Sequence, residues 1–143
     1  MLEQTLILVK PDAVERRLTG KVLTYFEAND LKIVDLRVLS PAPLCLLALH
    51  YKEHEDKPFY HSLLHFMSSG PLVAAIIEGE DAVRRVREII GAYDPAKAKP
   101  GTIRRDLGWV GNRWSELPRN LVHASDGLES AERELYLWFY DTD

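Results

Sequence analysis

The residues best suited to chemistry lie in segment 120–127, where a single histidine, His123, ends a short apolar run. A neutral imidazole is nucleophilic at neutral pH, because an ordinary histidine has a pKa near ~6.5, whereas a lysine must first be desolvated. Residues 126–129 read Asp-Gly-Leu-Glu, which predicts a capping box and a helix start that would favour an anion beside the nucleophile. A lone histidine after an apolar run is also common in protein cores, so this segment alone does not establish a function.

The other histidines raise the alternative of a metal site. His50 with His54, and His61 with His65, have the i, i+4 spacing that places two ligands on one helix face. No carboxylate follows in the arrangement of zinc proteases. We therefore expect no dedicated zinc site, and we expect His61 and His65 to lie at a helix surface or its boundary.

The elements that must position these residues follow from the hydrophobic pattern. It predicts strands at 5–9, 31–39, 72–77 and 121–123, and helices at 19–28, 43–50, 59–67, 81–90 and 128–135. The Gly- and Pro-rich stretch 91–111 is predicted to be a long loop, and loops of that length are uncommon unless functional. Strands and helices in this order indicate an α+β sandwich with a mainly antiparallel sheet.

Composition narrows the class of protein. The 143 residues suit one domain, 1–143, and the formal net charge of -4 argues against broad nucleic-acid binding. The single cysteine, Cys45, excludes an internal disulfide, and no apolar run approaches the ~18 residues of a membrane span. Met1 leads into the first strand without a basic segment. We therefore expect a cytoplasmic protein with no membrane partner.

Several short motifs, in order along the chain, resemble those of the nucleoside diphosphate kinase family. They are Thr-Leu-Ile-Leu-Val-Lys-Pro-Asp at 5–12, His-Tyr at 50–51, Lys-Pro-Phe at 57–59, Ser-Gly-Pro at 69–71, Pro-Gly-Thr-Ile-Arg at 100–104, Arg-Asn at 119–120, His123, and Ser-Ala-Glu-Arg-Glu at 130–134. The resemblance spans about residues 5–139. It implies a ferredoxin-like βαββαβ core, and transfer of the γ-phosphoryl group from a nucleoside triphosphate to a diphosphate by a ping-pong mechanism through phosphohistidine on His123.

The resemblance also implies which residues assist the histidine. Tyr51 and Glu134 match residues that support the imidazole, Ser125 would orient Glu134, and Lys10 would act at the phosphate end of the nucleotide. A carboxylate on one ring nitrogen would fix which nitrogen faces the substrate.

The same resemblance implies a nucleotide-binding set of Lys10, His54, Phe59, Leu63, Arg87, Tyr93, Arg104 and Asn120. Phe59 would stack on the base without reading its edges, so broad base specificity is expected. Lys10 and Asn120 would contact sugar hydroxyls, and the two arginines suit bidentate phosphate contacts. The cofactor would be Mg²⁺, carried mainly on the nucleotide phosphates rather than in a protein metal site.

Two departures from the family pattern stand in the predicted long loop and just after it. Tyr93 replaces a threonine whose hydroxyl contacts phosphate, and the longer tyrosine side chain weakens direct transfer of that role. Residues 112–118, which include Trp114, lengthen the loop, and we expect a homo-oligomer in which they pack on a neighbouring subunit or block the contact between dimers found in the family's hexamers. The alternative is that Trp114 folds back on its own subunit. A non-catalytic nucleotide-binding module and a phosphohistidine relay to other proteins remain alternatives to the enzyme.

Overall fold

A computed structural model gives the fold of residues 1–108 and 120–140. Its strands are β1 (Leu2–Val9), β2 (Lys32–Leu39), β3 (Leu72–Glu80) and β4 (Val122–Ala124). They form a four-stranded sheet in the order β2-β3-β1-β4. Each pair of neighbouring strands is antiparallel, which confirms the expected sheet type.

Helices connect and cover these strands. They are α1 (Pro11–Glu15), α2 (Thr19–Ala28), α3 (Leu44–His50), α4 (Tyr60–Met67), α5 (Ala82–Ile90), α6 (Ile103–Leu107) and α7 (Leu128–Leu135). With α2 between β1 and β2, and α5 between β3 and β4, the chain follows the βαββαβ order. The expected ferredoxin-like α+β sandwich is therefore confirmed.

Alternate residues of β1 enter two separate cores, because successive side chains of a strand point to opposite faces of the sheet. Ile7 and Val9 pack with α2 and α5 on one face. Leu6 and Leu8 pack on the other face with α3, α4 and the C-terminal turn. The central strands are thus buried on both sides, which explains why β1 reads as a continuous apolar run.

Several predicted boundaries differ from the structure. The α2 and α7 bounds are confirmed, whereas β1 begins earlier and β3 ends later than predicted, and the added residues pair with each other, as Gln4 does with Glu78. The loop prediction for 91–111 is wrong over its described part, which contains a 3-10 turn at Pro95–Lys97 and the helix α6. The sequence also missed α1 and the π-helical turn Tyr136–Tyr140, since both are too short to show a helical period.

The predicted capping box at 126–129 is also wrong. The N-cap of α7 is Gly127, which has no side chain to cap the helix. The Asp126 carboxylate instead accepts a hydrogen bond from the Ser130 hydroxyl. Among residues 1–108 and 120–140, no helix is long and apolar enough to span a membrane.

Candidate active site

A cleft of about 470 Å³ lies beside β4, against the helical layer formed by α3, α4 and α7. Its lining includes Lys10, His50, Tyr51, Glu53, His54, Phe59, Leu63, Arg87, Tyr93, Arg104, His123, Asp126 and Glu134. The site residues expected from the sequence therefore line one cleft, except for Asn120 and Ser125, which are fully buried and do not line it. Lys10, Arg87 and Arg104 bring three cationic side chains to this cleft, beside the carboxylates of Glu53, Asp126 and Glu134.

Sheet register places His123 at the cleft. His123 is the cross-strand partner of Leu8, so both side chains lie on the same face, toward α3 and α7. Its Nε2 lies 2.9 Å from Glu134 Oε1, and the Ser125 hydroxyl donates to the same oxygen at 2.8 Å. Because a carboxylate accepts, the imidazole proton belongs on Nε2. The lone pair of a neutral ring is then on Nδ1, which has no hydrogen bond within the described part of the chain.

The Glu134 carboxyl is held in its ionised form. Burial alone would raise its pKa, but the hydrogen bond and charge of His123, with contributions from His50 and Ser125, outweigh burial and lower the pKa. An anion at this position stabilises positive charge that develops on the imidazole when Nδ1 reacts.

Lys10 and Asn120 form a buried pair at the end of β1. The Lys10 ammonium donates to Asn120 Oδ1 at 2.8 Å, and Asn120 Nδ2 donates to the Tyr93 carbonyl at 3.0 Å. Leu121 follows in the left-handed region, with φ of 75°, and its N–H donates to Asp12 Oδ2 at 3.1 Å. Burial, and secondarily the charge of Arg104, lower the pKa of Lys10 to about 8. A phosphate ligand would replace the missing hydration of this ammonium.

Arg104 is buried and fixed by backbone carbonyls. It donates to the carbonyls of Gly91, Asn120 and Val122 at 3.1, 3.2 and 2.6 Å. Burial, and next the charge of Arg87, lower the pKa of Arg104 to about 10, so it stays charged at neutral pH. Arg87 lies at the exposed border of α5, as its helical period predicted, and it donates to the Ala124 carbonyl at 3.2 Å. The two guanidinium groups therefore flank the strand that carries His123.

The cleft lining also includes aromatic side chains. The rings of His54 and Phe59 lie 5.7 Å apart, and Leu63 also lines the cleft one helical turn after Phe59. Tyr93 is mostly exposed, and its ring lies 5.8 Å from the Arg104 guanidinium. Its backbone carbonyl, rather than its hydroxyl, is the atom that holds Asn120.

Sequence reasoning missed two residues of this site and the link between them. His50 was considered only as a metal ligand, yet its ring lies 4.6 Å from that of His123. The fully buried indole of Trp138 donates to His50 Nδ1 at 2.9 Å. Nothing in the local pattern around residue 138 points to this contact, because it joins residues 88 positions apart.

His50, His123 and Glu134 also form a group whose ligand atoms lie within 4.8 Å of one another. Glu134 Oε1 already accepts two hydrogen bonds, and His50 Nδ1 accepts one. His54 is not in this group, and His61 and His65 are exposed on α4, as expected. The insertion 112–118 with Trp114 lies outside the described residues.

Comparison with known proteins agrees with this geometry. A family model described as nucleoside diphosphate kinase matches residues 3–143. A nucleoside diphosphate kinase of Staphylococcus aureus strain JH9 is 45% identical over 142 residues, covering 99% of this chain and 91% of the relative.

Solved structures give the same result. The nucleoside diphosphate kinase of Halobacterium salinarum in complex with CDP has a TM-score of 0.88 and 43% identity, covering 99% of this chain and 90% of that one. That of Borrelia burgdorferi, a transition-state mimic with bound vanadate and ADP, has a TM-score of 0.90 and 34% identity, covering 98% and 88%. On these matches, the chain belongs to the nucleoside diphosphate kinase family and is a phosphotransferase.

Proposed function

We propose that this enzyme transfers the γ-phosphoryl group of a nucleoside triphosphate to a nucleoside diphosphate through phosphohistidine on His123. The observation that carries the proposal is the contact of His123 Nε2 with Glu134 Oε1 at 2.9 Å, in a cleft that also holds Lys10, Arg87 and Arg104. The reaction is ping-pong: the first diphosphate leaves before the second accepts the phosphoryl group.

The first step is an attack by His123 Nδ1 on the γ-phosphorus. The bond between nitrogen and phosphorus forms as the bond to the β,γ-bridging oxygen breaks, and that oxygen leaves on the diphosphate. Glu134 stabilises the positive ring, and the second half-reaction reverses these steps with a new diphosphate. Tyr51 packs beside His50 at the wall of the cleft, and burial raises the pKa of its hydroxyl, which therefore stays protonated as a donor.

The three cations supply the electrostatic part of catalysis. Negative charge spreads over the equatorial and leaving oxygens during phosphoryl transfer. Arg104 is fixed in place by carbonyls before substrate binds, so its reorganisation during the reaction is small. Lys10 and Arg87 would contact the same phosphates from either side of β4.

Magnesium fits this cleft as a companion of the substrate. Mg²⁺ prefers oxygen ligands and keeps several waters. Apart from Glu134, which His123 and Ser125 engage, the carboxylates of the described residues that line the cleft are Glu53 and Asp126, both exposed. These two residues would hold the ion only at its outer waters, and the phosphates would supply its direct ligands. When bound, Mg²⁺ neutralises charge on the phosphates.

The nucleoside would lie between Phe59 and the Lys10–Asn120 pair. Stacking on Phe59 contributes ~1 to 3 kcal/mol per base for any base, so we expect kcat/KM to vary by at most about two orders of magnitude among adenine, guanine, cytosine and uracil diphosphates. A 3′-deoxy analogue would lose the hydrogen bonds that Lys10 and Asn120 would offer to the sugar hydroxyl. It should be about 10- to 100-fold poorer, in line with ~1–3 kcal/mol for that loss. Equal rates would contradict this placement.

A coupled turnover assay tests the proposal, with ATP as donor and a different nucleoside diphosphate as acceptor. We expect His123→Ala to lower turnover by more than about 10³-fold, since it removes the nucleophile. His65→Ala, which changes an exposed histidine on α4, is the matched control and should retain activity. Turnover in His123→Ala comparable to wild type would overturn the assignment.

We also propose that the enzyme is a homo-oligomer. Strand β2 is at the edge of the sheet and exposes three apolar side chains, Val34, Leu36 and Val38. An exposed apolar edge strand favours pairing with another chain. The tryptophan-containing segment 112–118 supports a second contact.

A further inference from the structure

The hydrogen bond between Trp138 and His50 links the active-site cleft to the C-terminal π-helical turn. Trp138 lies in the π-helical turn Tyr136–Tyr140 and is fully buried. Its indole Nε1–H can only donate, and it donates to His50 Nδ1 at 2.9 Å. Nδ1 of His50 must therefore be unprotonated, and the ring carries its proton on Nε2. One hydrogen bond thus selects a single neutral tautomer of His50.

His50 in turn lies directly against the proposed nucleophile. The rings of His50 and His123 are 4.6 Å apart and nearly perpendicular, at 77°. His50 also makes edge contacts with Tyr51 at 4.5 Å and Trp138 at 5.6 Å, and it is only 3% exposed. Aromatic partners on both sides leave this ring little freedom to turn.

We propose that His50 is a positioning residue whose tautomer, fixed by Trp138, holds the His123 ring with Nε2 on Glu134 and Nδ1 toward the cleft. This inference rests on the proposed function, because it concerns the same nucleophile. The Glu134 contact alone leaves the His123 ring free to tilt about the line between Nε2 and the carboxylate. The perpendicular His50 ring removes that freedom.

The charge of His50 matters for the same reason. Burial, and next the neighbouring His123, lower the pKa of His50 to about 3. Among the described residues, the other charged or titratable groups near it are Glu134, Arg133, Lys10 and the Tyr51 hydroxyl, which stays protonated. A neutral ring here does not repel the positive charge that develops on His123 during phosphorylation.

Trp138→Phe tests the link by removing the N–H while keeping an aromatic ring. In wild type, side-chain ¹⁵N spectra should show His50 Nδ1 unprotonated and Nε2 protonated. In Trp138→Phe, the ¹⁵N chemical shifts of both His50 ring nitrogens should move toward the average of the two neutral tautomers. We expect single-turnover phosphorylation of His123 at saturating nucleoside triphosphate to slow about tenfold, with the half-saturating concentration unchanged, since a misplaced nucleophile affects the chemical step. Tyr136→Phe, an exposed residue of the same turn, is the control and should behave as wild type.

A double variant separates positioning from folding. His50→Leu alone leaves the buried Trp138 N–H without an acceptor and is expected to unfold at a lower temperature. His50→Leu with Trp138→Phe removes both partners, so its unfolding temperature should recover, whereas phosphorylation of His123 should remain slow. His50→Asn, whose Oδ1 can replace Nδ1 as the acceptor but which has no ring to pack on His123, should also recover the unfolding temperature while phosphorylation of His123 stays slow.

Three results would overturn the inference. The first is a wild-type phosphorylation rate in the double variant whose unfolding temperature has recovered. The second is a protonated Nδ1 on His50 in the wild-type spectra. The third is a slowing in Tyr136→Phe equal to that in Trp138→Phe. Failure of the proposed function has a different signature, because then wild type itself would not become phosphorylated on His123.

Discussion

At His123, the roles of the two ring nitrogens follow from a single contact. Glu134 accepts from Nε2, so Nδ1 is the nitrogen with a free lone pair. The sequence resemblance implied a carboxylate beside the histidine, but helical spacing alone could not choose Glu134 over Glu132. The structure makes the choice, because Glu134 is buried under β4 while Glu132 is exposed.

Lys10 gives a pH dependence at the residue scale. Its pKa of about 8 in the free enzyme means that it loses its proton as the pH rises through about 8, while Arg104, with a pKa of about 10, stays charged. We expect kcat/KM for nucleoside diphosphates to fall above about pH 8. The alkaline limb of kcat should lie at higher pH, because bound phosphate keeps Lys10 protonated.

Lys10→Met should remove this limb and lower kcat/KM throughout, and the exposed Lys21→Met is the control. Loss of folded enzyme does not explain the fall of kcat/KM at high pH. The folded pKa lies below the ordinary value of 10.5, so between about pH 8 and 10.5 the unfolded chain binds more protons at this site. The contribution of Lys10 to stability therefore rises with pH in this window. If the alkaline fall of kcat/KM is unchanged in Lys10→Met, it does not come from Lys10.

At the scale of elements, the turn after α5 fixes Arg104, one of the two arginines that we propose bind phosphate. Gly91 has φ of 93° and ψ of -179°, a region open essentially only to glycine, and a Cβ there would lie 2.6 Å from Thr102 Oγ1. Its carbonyl accepts from Arg104. We expect Gly91→Ala to lower the free energy of unfolding by about 1–3 kcal/mol and to raise KM.

Gly20→Ala is the matched control for this change. Gly20 lies in α2, where a methyl group in place of its hydrogen would meet no atom within 4 Å, and alanine is the better helix former. Denaturant unfolding and steady-state kinetics of both variants measure the difference. Equal stability and KM in Gly91→Ala and wild type would show that the turn does not fix Arg104.

The sequence predicted elements well where one periodic pattern ran long enough. The bounds of α2 and α7 are confirmed, and so is the apolar stripe of α5, with Val83, Val86 and Ile90 buried. Prediction from the sequence failed where a contact between distant segments of the chain determines the structure. The Leu121 N–H donates to the Asp12 carboxylate across 109 positions of sequence, and the Trp138 indole donates to His50 across 88. No local periodicity of the sequence predicts either hydrogen bond.

For the whole molecule, the testable feature is assembly. We expect light scattering to give the mass of a homo-oligomer for wild type. Val38→Lys places a charge on an edge-strand side chain that is 70% exposed, and it should reduce the molar mass. Leu44→Lys makes the same change at an exposed apolar residue of α3, outside strand β2, and should not.

Deletion of 112–118 tests the second contact in the same way. If these residues contact a neighbouring subunit, as the resemblance suggested, the molar mass should change. An unchanged mass with activity retained would refute the interface role of the segment. An unchanged mass for Val38→Lys would likewise refute the role of the β2 edge.

The most direct test of the mechanism is the identity of the phosphorylated atom. The enzyme, labelled with ¹⁵N in histidine, is incubated with a nucleoside triphosphate and no acceptor, and ³¹P–¹⁵N coupling is measured on the isolated phosphoenzyme. We expect phosphorus on Nδ1 of His123, in an acid-labile linkage that an added diphosphate discharges. Phosphorus on Nε2, on another residue, or in a form that no diphosphate discharges would contradict the proposed mechanism.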